Sequence, residues 1–183
     1  REKYSSRKDF FDAIDKLKAA GHLQAGSRVD LVTSPVSVAI QSGAARADIS
    51  RAEALKASVL AAQSISYSTG PSGVYLAQLF DKMGIGEAVK AKAVIPPPGV
   101  PVGSLVAQGA VELGFQQRSE LIHVEGIEIL GNLPDEVAYL TTFSAALPAE
   151  LDAARADAVA QFLRFANSAE AAPIKISQGM NPV

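Results

Sequence analysis

Apolar and polar positions along this chain switch repeatedly between a helical and an extended rhythm. Residues 8–20 place Phe10, Phe11, Ile14 and Leu17 at helical spacing, and Gly21 follows where a C-cap belongs. Val29 to Ile40 is instead dominated by β-branched residues, with Pro35 in its middle, the mark of an edge or of a crossing between two sub-structures. Ser50-Arg51-Ala52-Glu53 reads as a capping box that opens a helix over about 51–60. Strand 63–67, helix 72–83 and strand 92–95 follow, then a PPPG turn from Pro96 to Gly99. A helix near 102–108 stops at Gly109, and strands are predicted at 112–117 and 126–130. Tyr139 to Leu147 is a second long β-rich run. Helix 149–166 sets Ala154, Ala158, Phe162 and Phe165 on one apolar face, and Ser168 opens a last helix.

Strands alternating with helices predict an α/β class with a parallel, doubly wound sheet. The two extended runs near 32–40 and 139–147 enclose a series of βα units. That is the pattern of one lobe inserted into another, with 32–143 as the inserted lobe and 1–31 plus 144–183 as the outer lobe. The outer lobe then has few residues from which to build a closed core. It is expected to be incomplete or to lean on a partner, self-association being one form of this.

Composition narrows the function. The 183 residues carry a net charge of −2 with scattered lysines and arginines, so no basic stripe is present to neutralise phosphates and nucleic acid is not an expected partner. No apolar run approaches the ~20 residues of a membrane span. Zero cysteines exclude disulfides and thiolate metal sites. His22 and His123 have no metal-ligand neighbours at short spacing, and no metal or cofactor is expected. The opening REKYSSRKDF is no signal peptide and reads as what processing or truncation leaves.

Candidate chemistry concentrates in loops at predicted strand ends, where open α/β sheets bind ligands. The stretch QSISYSTGPSGVYLAQLFDKMGI places Ser68, Thr69, Ser72 and Gly73 before a helix, where unpaired N–H groups and the helix dipole favour an anion. Tyr75 lies on the first turn of that helix. No residue from Ala57 to Phe80 is charged, so a ligand there is held by neutral donors. The loop Pro96–Ser104, with Gly99 and Val100, is likewise uncharged, and Gln116 and Gln117 end the strand beside it. Serine and glycine also serve as ordinary turn and cap residues, and strand-end glutamines often face solvent. Glu120 and Glu125 flank His123, so an acid–base cluster is conceivable, but no nucleophile elbow, P-loop, dinucleotide fingerprint or zinc-protease motif is present and no catalytic residue is assigned.

The ordered set KLKAAGHLQAGSRVDLVTSPVSVAI, ADISRAEALKASVLAAQSISYSTGPSGVYLAQLFDKMGI, LVAQGAVELGFQQRSEL and AVAQFLRFANSAEAAPIKISQGMNPV resembles the periplasmic type II solute-binding proteins of ABC transporters, in their molybdate-binding-protein-like branch. The resemblance covers nearly the whole chain. It implies a two-lobed α/β fold with parallel or mixed sheets, an N-terminal segment absent here that leaves the first lobe incomplete, and two crossing strands with hinges near Thr33–Val36 and Thr141–Ser144. It also implies a periplasmic location, transporter membrane subunits as partners, and a small anion as ligand. Molybdate binders use a P-A-G-x-Y loop whose amide meets the oxyanion; Pro71-Ser72-Gly73-Val74-Tyr75 is similar, with Ser72 in that place. The resemblance puts a second amide around Gly99 to Val102. It puts a tyrosine where this chain has Gln117, a departure that points away from molybdate and toward an organic carboxylate. A binding protein is the expected class; an isomerase of small polycarboxylates on the same frame, or a truncated non-binding module, is the alternative.

Overall fold

The computed structural model describes residues 12–97 and 99–183. The part of the first predicted helix that precedes residue 12, with Phe10 and Phe11, lies outside the described residues. Helix α1 (Asp12–Ala19) ends as the glycine predicted: Gly21 takes φ +78°, and the His22 N–H reaches back to the Leu17 carbonyl at 2.9 Å. Strand β1 (Val29–Gln41) and strand β5 (Leu140–Ala145) are the two long extended runs, and the chain divides into two compact units along them. One unit is Pro35–Thr141; the described part of the other is residues 12–34 with Thr142–Val183.

In the first unit, helix α2 (Ala52–Ala61), strand β2 (Ile65–Tyr67), helix α3 (Pro71–Lys82), the short helices α4 (Gly86–Lys90) and α5 (Val102–Ala107), strand β3 (Leu113–Gln117), helix α6 (Arg118–Leu121) and strand β4 (Ile127–Asn132) follow one another. The strands lie in the order β2-β3-β1-β4. β2 and β3 are parallel, while β1 is antiparallel to both β3 and β4. The sheet is therefore mixed, one of the two arrangements the resemblance implies, and not the parallel sheet that strand–helix alternation alone predicts. Alternation of strand and helix fixes direction only for strands joined by a crossover. β1 enters from the other unit and carries no such constraint.

Two local expectations also change. Residues 92–95 do not form a strand: Ala93 makes one bridge to Ile65, and the prolines from Pro96 onward have no N–H to extend the ladder. The capping box at Ser50 does not form, because the Asp48 carboxylate takes the Ser50 N–H at 2.9 Å and Arg51 becomes the N-cap without a side-chain bond. Helix α4, α6 and a 3-10 turn at Asp135–Val137 carry too few residues for a periodic signal.

The core of this unit forms on both faces of the sheet. Phe80 and Phe115 meet edge-on at 5.7 Å between ring centroids, and both are fully buried. Opposite them Ala39, Val102, Val106, Val111 and Leu121 form a second cluster. Gly114 is required there, because a Cβ would overlap the Val106 side chain that packs α5 onto the sheet.

In the second unit, helix α7 (Ala153–Ala166) is opened by Asp152, whose carboxylate accepts the Arg155 N–H at 2.9 Å. Helix α8 (Ala172–Ser177) and strand β6 (Asn181–Pro182) close the chain, and β6 pairs with β1 at Val32 and Thr33. Lys175 donates to the Leu31 carbonyl at 2.8 Å, and Ser144 donates to Asp30 at 2.5 Å, which also accepts from Arg28 Nε at 2.9 Å. Only Val32, Leu163 and Ala171 are its buried apolar residues among those described, while Phe162 is 63% exposed.

Candidate functional site

The candidate loops lie at the carboxyl ends of β2 and β3 in the first unit. Because these strands are parallel neighbours, the turn after β2 and the turn after β3 lie at one end of the sheet. α5 runs back along β3, and its first N–H, on Val102, donates to Gln116 Oε1 at 3.1 Å. The α5 N-terminus is thereby pinned to the same end. Two helix starts, those of α3 and α5, thus lie at the same end of adjacent strands.

At the first of them Ser68 is half-buried, Thr69 exposed, and Ser72 and Gly73 buried. The Ser68 and Ser72 hydroxyl oxygens lie 3.4 Å apart. Pro71 opens α3 without an N–H, so the first helical amides are those of Ser72 and Gly73, which have no carbonyl of the same helix within reach. Gly73 approaches the backbone so closely that a Cβ would overlap the Ser68 carbonyl oxygen. At the second start Gly99 takes φ +86°, and the exposed Val100 closes the turn by donating to the Pro97 carbonyl at 3.1 Å.

Tyr75 and Gln117 have their polar groups engaged within this unit. Tyr75 is 4% exposed, donates its hydroxyl to the Val137 carbonyl at 3.0 Å and stacks on Tyr139 at 4.4 Å. Burial pushes its pKa up to about 12, with the neighbouring Tyr139 adding to the effect, so it stays a neutral donor. Gln117 is buried and donates to Thr141 Oγ1 at 2.9 Å. Successive strand residues point to opposite faces, so Gln116 and Gln117 serve different layers. Gln116, not Gln117, is on the side of α5.

Gln116 belongs to a polar row that reading by loops alone overlooked. It is opposite Ser37 in the β1–β3 register, and Ser37 is opposite Asn132 in the β1–β4 register. The Ser37 hydroxyl donates to Asn132 Oδ1 at 2.8 Å. A bulge in β4, where the partner of Val38 is Gly131 and that of Ala39 is Ile129, re-aims Asn132 onto this row. One row inward, Ser66 is fully buried and its hydroxyl has no partner. The far end of the Gln116 amide donates to Glu120, whose pKa is raised by burial against the opposing effect of that bond. Strand parity would have separated the two glutamines; the pairing with Ser37 and Asn132 depends on a register that no local signal carries. His22 and His123 are both exposed, and among the described residues no cluster of histidine, aspartate and glutamate is arranged to hold a metal.

Two mixed α/β units joined by crossing strands, with helix starts gathered at one sheet end, define a periplasmic-binding-protein-like domain of type II. Its solved likenesses are of that kind. The substrate binding domain attributed to a molybdenum ABC transporter of Clostridium difficile superposes with a TM-score of 0.71 at 17% identity, covering 93% of this chain and 72% of that one. The periplasmic molybdate-binding protein of Azotobacter vinelandii gives 0.66 at 21% identity, covering 91% and 73%. At these identities the likeness is one of fold. Residues 11–181 match the bacterial extracellular solute-binding protein family, and the chain belongs to it. It is also 40% identical over 172 residues to a protein named aconitate isomerase from a Pseudomonas species, a match that takes in 93% of this chain and 64% of that protein's length. No helix among the described residues is long and apolar enough to cross a membrane.

Proposed function

We propose that this protein captures a small anion, an oxyanion or small carboxylate, in the periplasm and delivers it to the membrane subunits of an ABC transporter. One observation carries the reading: the starts of α3 and α5 lie at the same end of the adjacent parallel strands β2 and β3, on loops without a charged side chain. Ser68, Thr69, Ser72 and Gly73 on one side offer amides and hydroxyls to the ligand, and on the other side Gly99 offers its amide from the turn that Val100 closes. Tyr75 and Gln117 complete the set and hold its frame from the opposite face of the sheet. Neutral donors serve oxyanions and carboxylates alike; a glutamine where molybdate binders place a tyrosine, and a relative named for aconitate, favour the carboxylate.

A second reading, an isomerase of small polycarboxylates on this frame, is favoured by that same relative at 40% identity. It requires a proton-transfer group beside the loops. Calorimetry of the full-length protein against citrate, aconitate, molybdate, tungstate and sulfate tests the binding reading. A carboxylate is expected to bind and, at a hundredfold excess over its Kd, to stabilise the fold by about 2.7 kcal/mol. Failure of every anion to bind or to shift the melting temperature sinks it, and preference for molybdate overturns the carboxylate.

A further inference from the structure

Gln116 is 4% exposed, and both ends of its amide are engaged. The Val102 N–H donates to Oε1, so the NH2 end must face the other way, where it donates to Glu120 Oε2. An amide fixed at both ends is a rigid arm. What it holds is a carboxylate at the carboxyl end of β3, beside the start of α5.

Glu120 has no structural task that accounts for this placement. It does not close a capping box on the four-residue α6: its hydrogen bond goes to the Gln116 side chain and not to the backbone at the helix start. Among the described residues no lysine, arginine or histidine forms an ion pair with it. Glu120 is exposed as a residue, but its carboxyl group, folded back against Gln116, is partly stripped of water, and this makes it more basic than an ordinary glutamate. A carboxylate that is oriented, unpaired and accessible from solvent meets the requirements of a general base. It is also the only titratable side chain hydrogen-bonded to the polar row among the described residues.

We propose that Glu120 is the proton-transfer group of this site, acting on a small unsaturated polycarboxylate that has a C–H bond next to its double bond. The inference rests on the isomerase reading. The Glu120 carboxylate takes a proton from the methylene carbon, and the C–H electron pair forms a new double bond toward the central carbon. The electrons of the old double bond move to the far carbon and its carboxylate. The proton then passes from Glu120 to the far carbon, so the double bond has shifted and nothing is consumed. The neutral donors of the two loops hold the carboxylates without quenching the base, as an arginine or lysine would. Gln116 is a positioning residue.

The test is proton exchange of trans-aconitate in deuterated water, followed by NMR, with the full-length protein and its E120Q and E120D variants, alongside calorimetric binding. Wild type is expected to exchange the allylic protons, and E120Q to do so at least ~100-fold more slowly while binding within about threefold of wild type. Exchange by E120Q at the wild-type rate overturns the role of Glu120 and leaves the isomerase reading standing. Binding by wild type without any exchange overturns the isomerase reading itself. If E120Q does not fold, E120D carries the test: it keeps the charge and withdraws it by one methylene, so a rate about tenfold lower is expected and an unchanged rate overturns the proposal.

Discussion

The two units of this chain use the same apolar vocabulary to opposite effect. Among the described residues, all twelve of the largest fully buried side chains, from Phe80 and Phe115 to Val59 and Val89, belong to Pro35–Thr141. In the other unit the helical spacing is just as regular, yet Phe162 is 63% exposed, Phe165 50%, Ile174 63% and Ile176 61%. Periodicity announces a face that wants burial; it does not supply the layer that buries it. The first unit has a sheet with helices on both faces. The second, among its described residues, has strand segments covered by α7 and α8 through polar ties such as Lys175 to Leu31 and Asn167 to Asp30.

The largest expected effect tests this contrast directly. Phe80→Ala removes a ring that packs against Tyr67 and Phe115, and should cost about 3–5 kcal/mol in urea unfolding. Phe162→Ala should change stability by less than about 0.5 kcal/mol. Equal costs would mean that Phe162 is covered in solution, and the contrast would be lost. A covered Phe162 would also support self-association through this unit, which light scattering would then detect.

A second pair of substitutions separates two reasons for glycine. Gly73→Ala forces a Cβ onto the Ser68 carbonyl, so the backbone must shift; a cost of about 2–3 kcal/mol is expected, with loss of anion binding. Gly26 in the other unit has open space around it and a φ of +74°, so Gly26→Ala meets only conformational strain, about 1–2 kcal/mol, and should leave binding intact. Retained anion binding in Gly73→Ala would remove the turn after β2 from the site.

How much of this was legible depends on how local the determining interaction is. The stops at Gly21 and Gly109 were readable because left-handed backbone selects glycine within a few residues, and both take positive φ. The two extended runs were readable from β-branched residues and one proline. The direction of β1 was not, since nothing in its residues says which way its neighbours run. Nor was the failure of the capping box: Asp48 competes for the Ser50 N–H, and a four-residue motif does not include its rival. At the site, the uncharged loops stood out in the sequence, whereas the Gln116–Ser37–Asn132 row exists only through pairings across three strands. Glu120 was visible as a charge beside His123, but its engagement by Gln116 follows from α5 fixing the other end of that amide.

The smallest effect concerns what holds the second unit together in place of a large core. Asp30 accepts from Ser144 and Arg28, with the Ser144 bond the main cause that its pKa lies below the ordinary value of 3.8 and partial burial opposing it. A carboxyl whose folded pKa is depressed binds its proton less readily in the folded state than in the unfolded chain. Its contribution is therefore fully present above the unfolded pKa and is lost as pH falls through the folded one. Because the Asp30 side chain is 43% exposed, solvent limits that contribution to about 1 kcal/mol or less. Asp30→Asn should accordingly lower the melting temperature at pH 7 and make no difference near pH 2. If the difference persists at the acid end, the Asp30 charge is not the source of the stability, and the neutral hydrogen bonds of this cluster carry it instead.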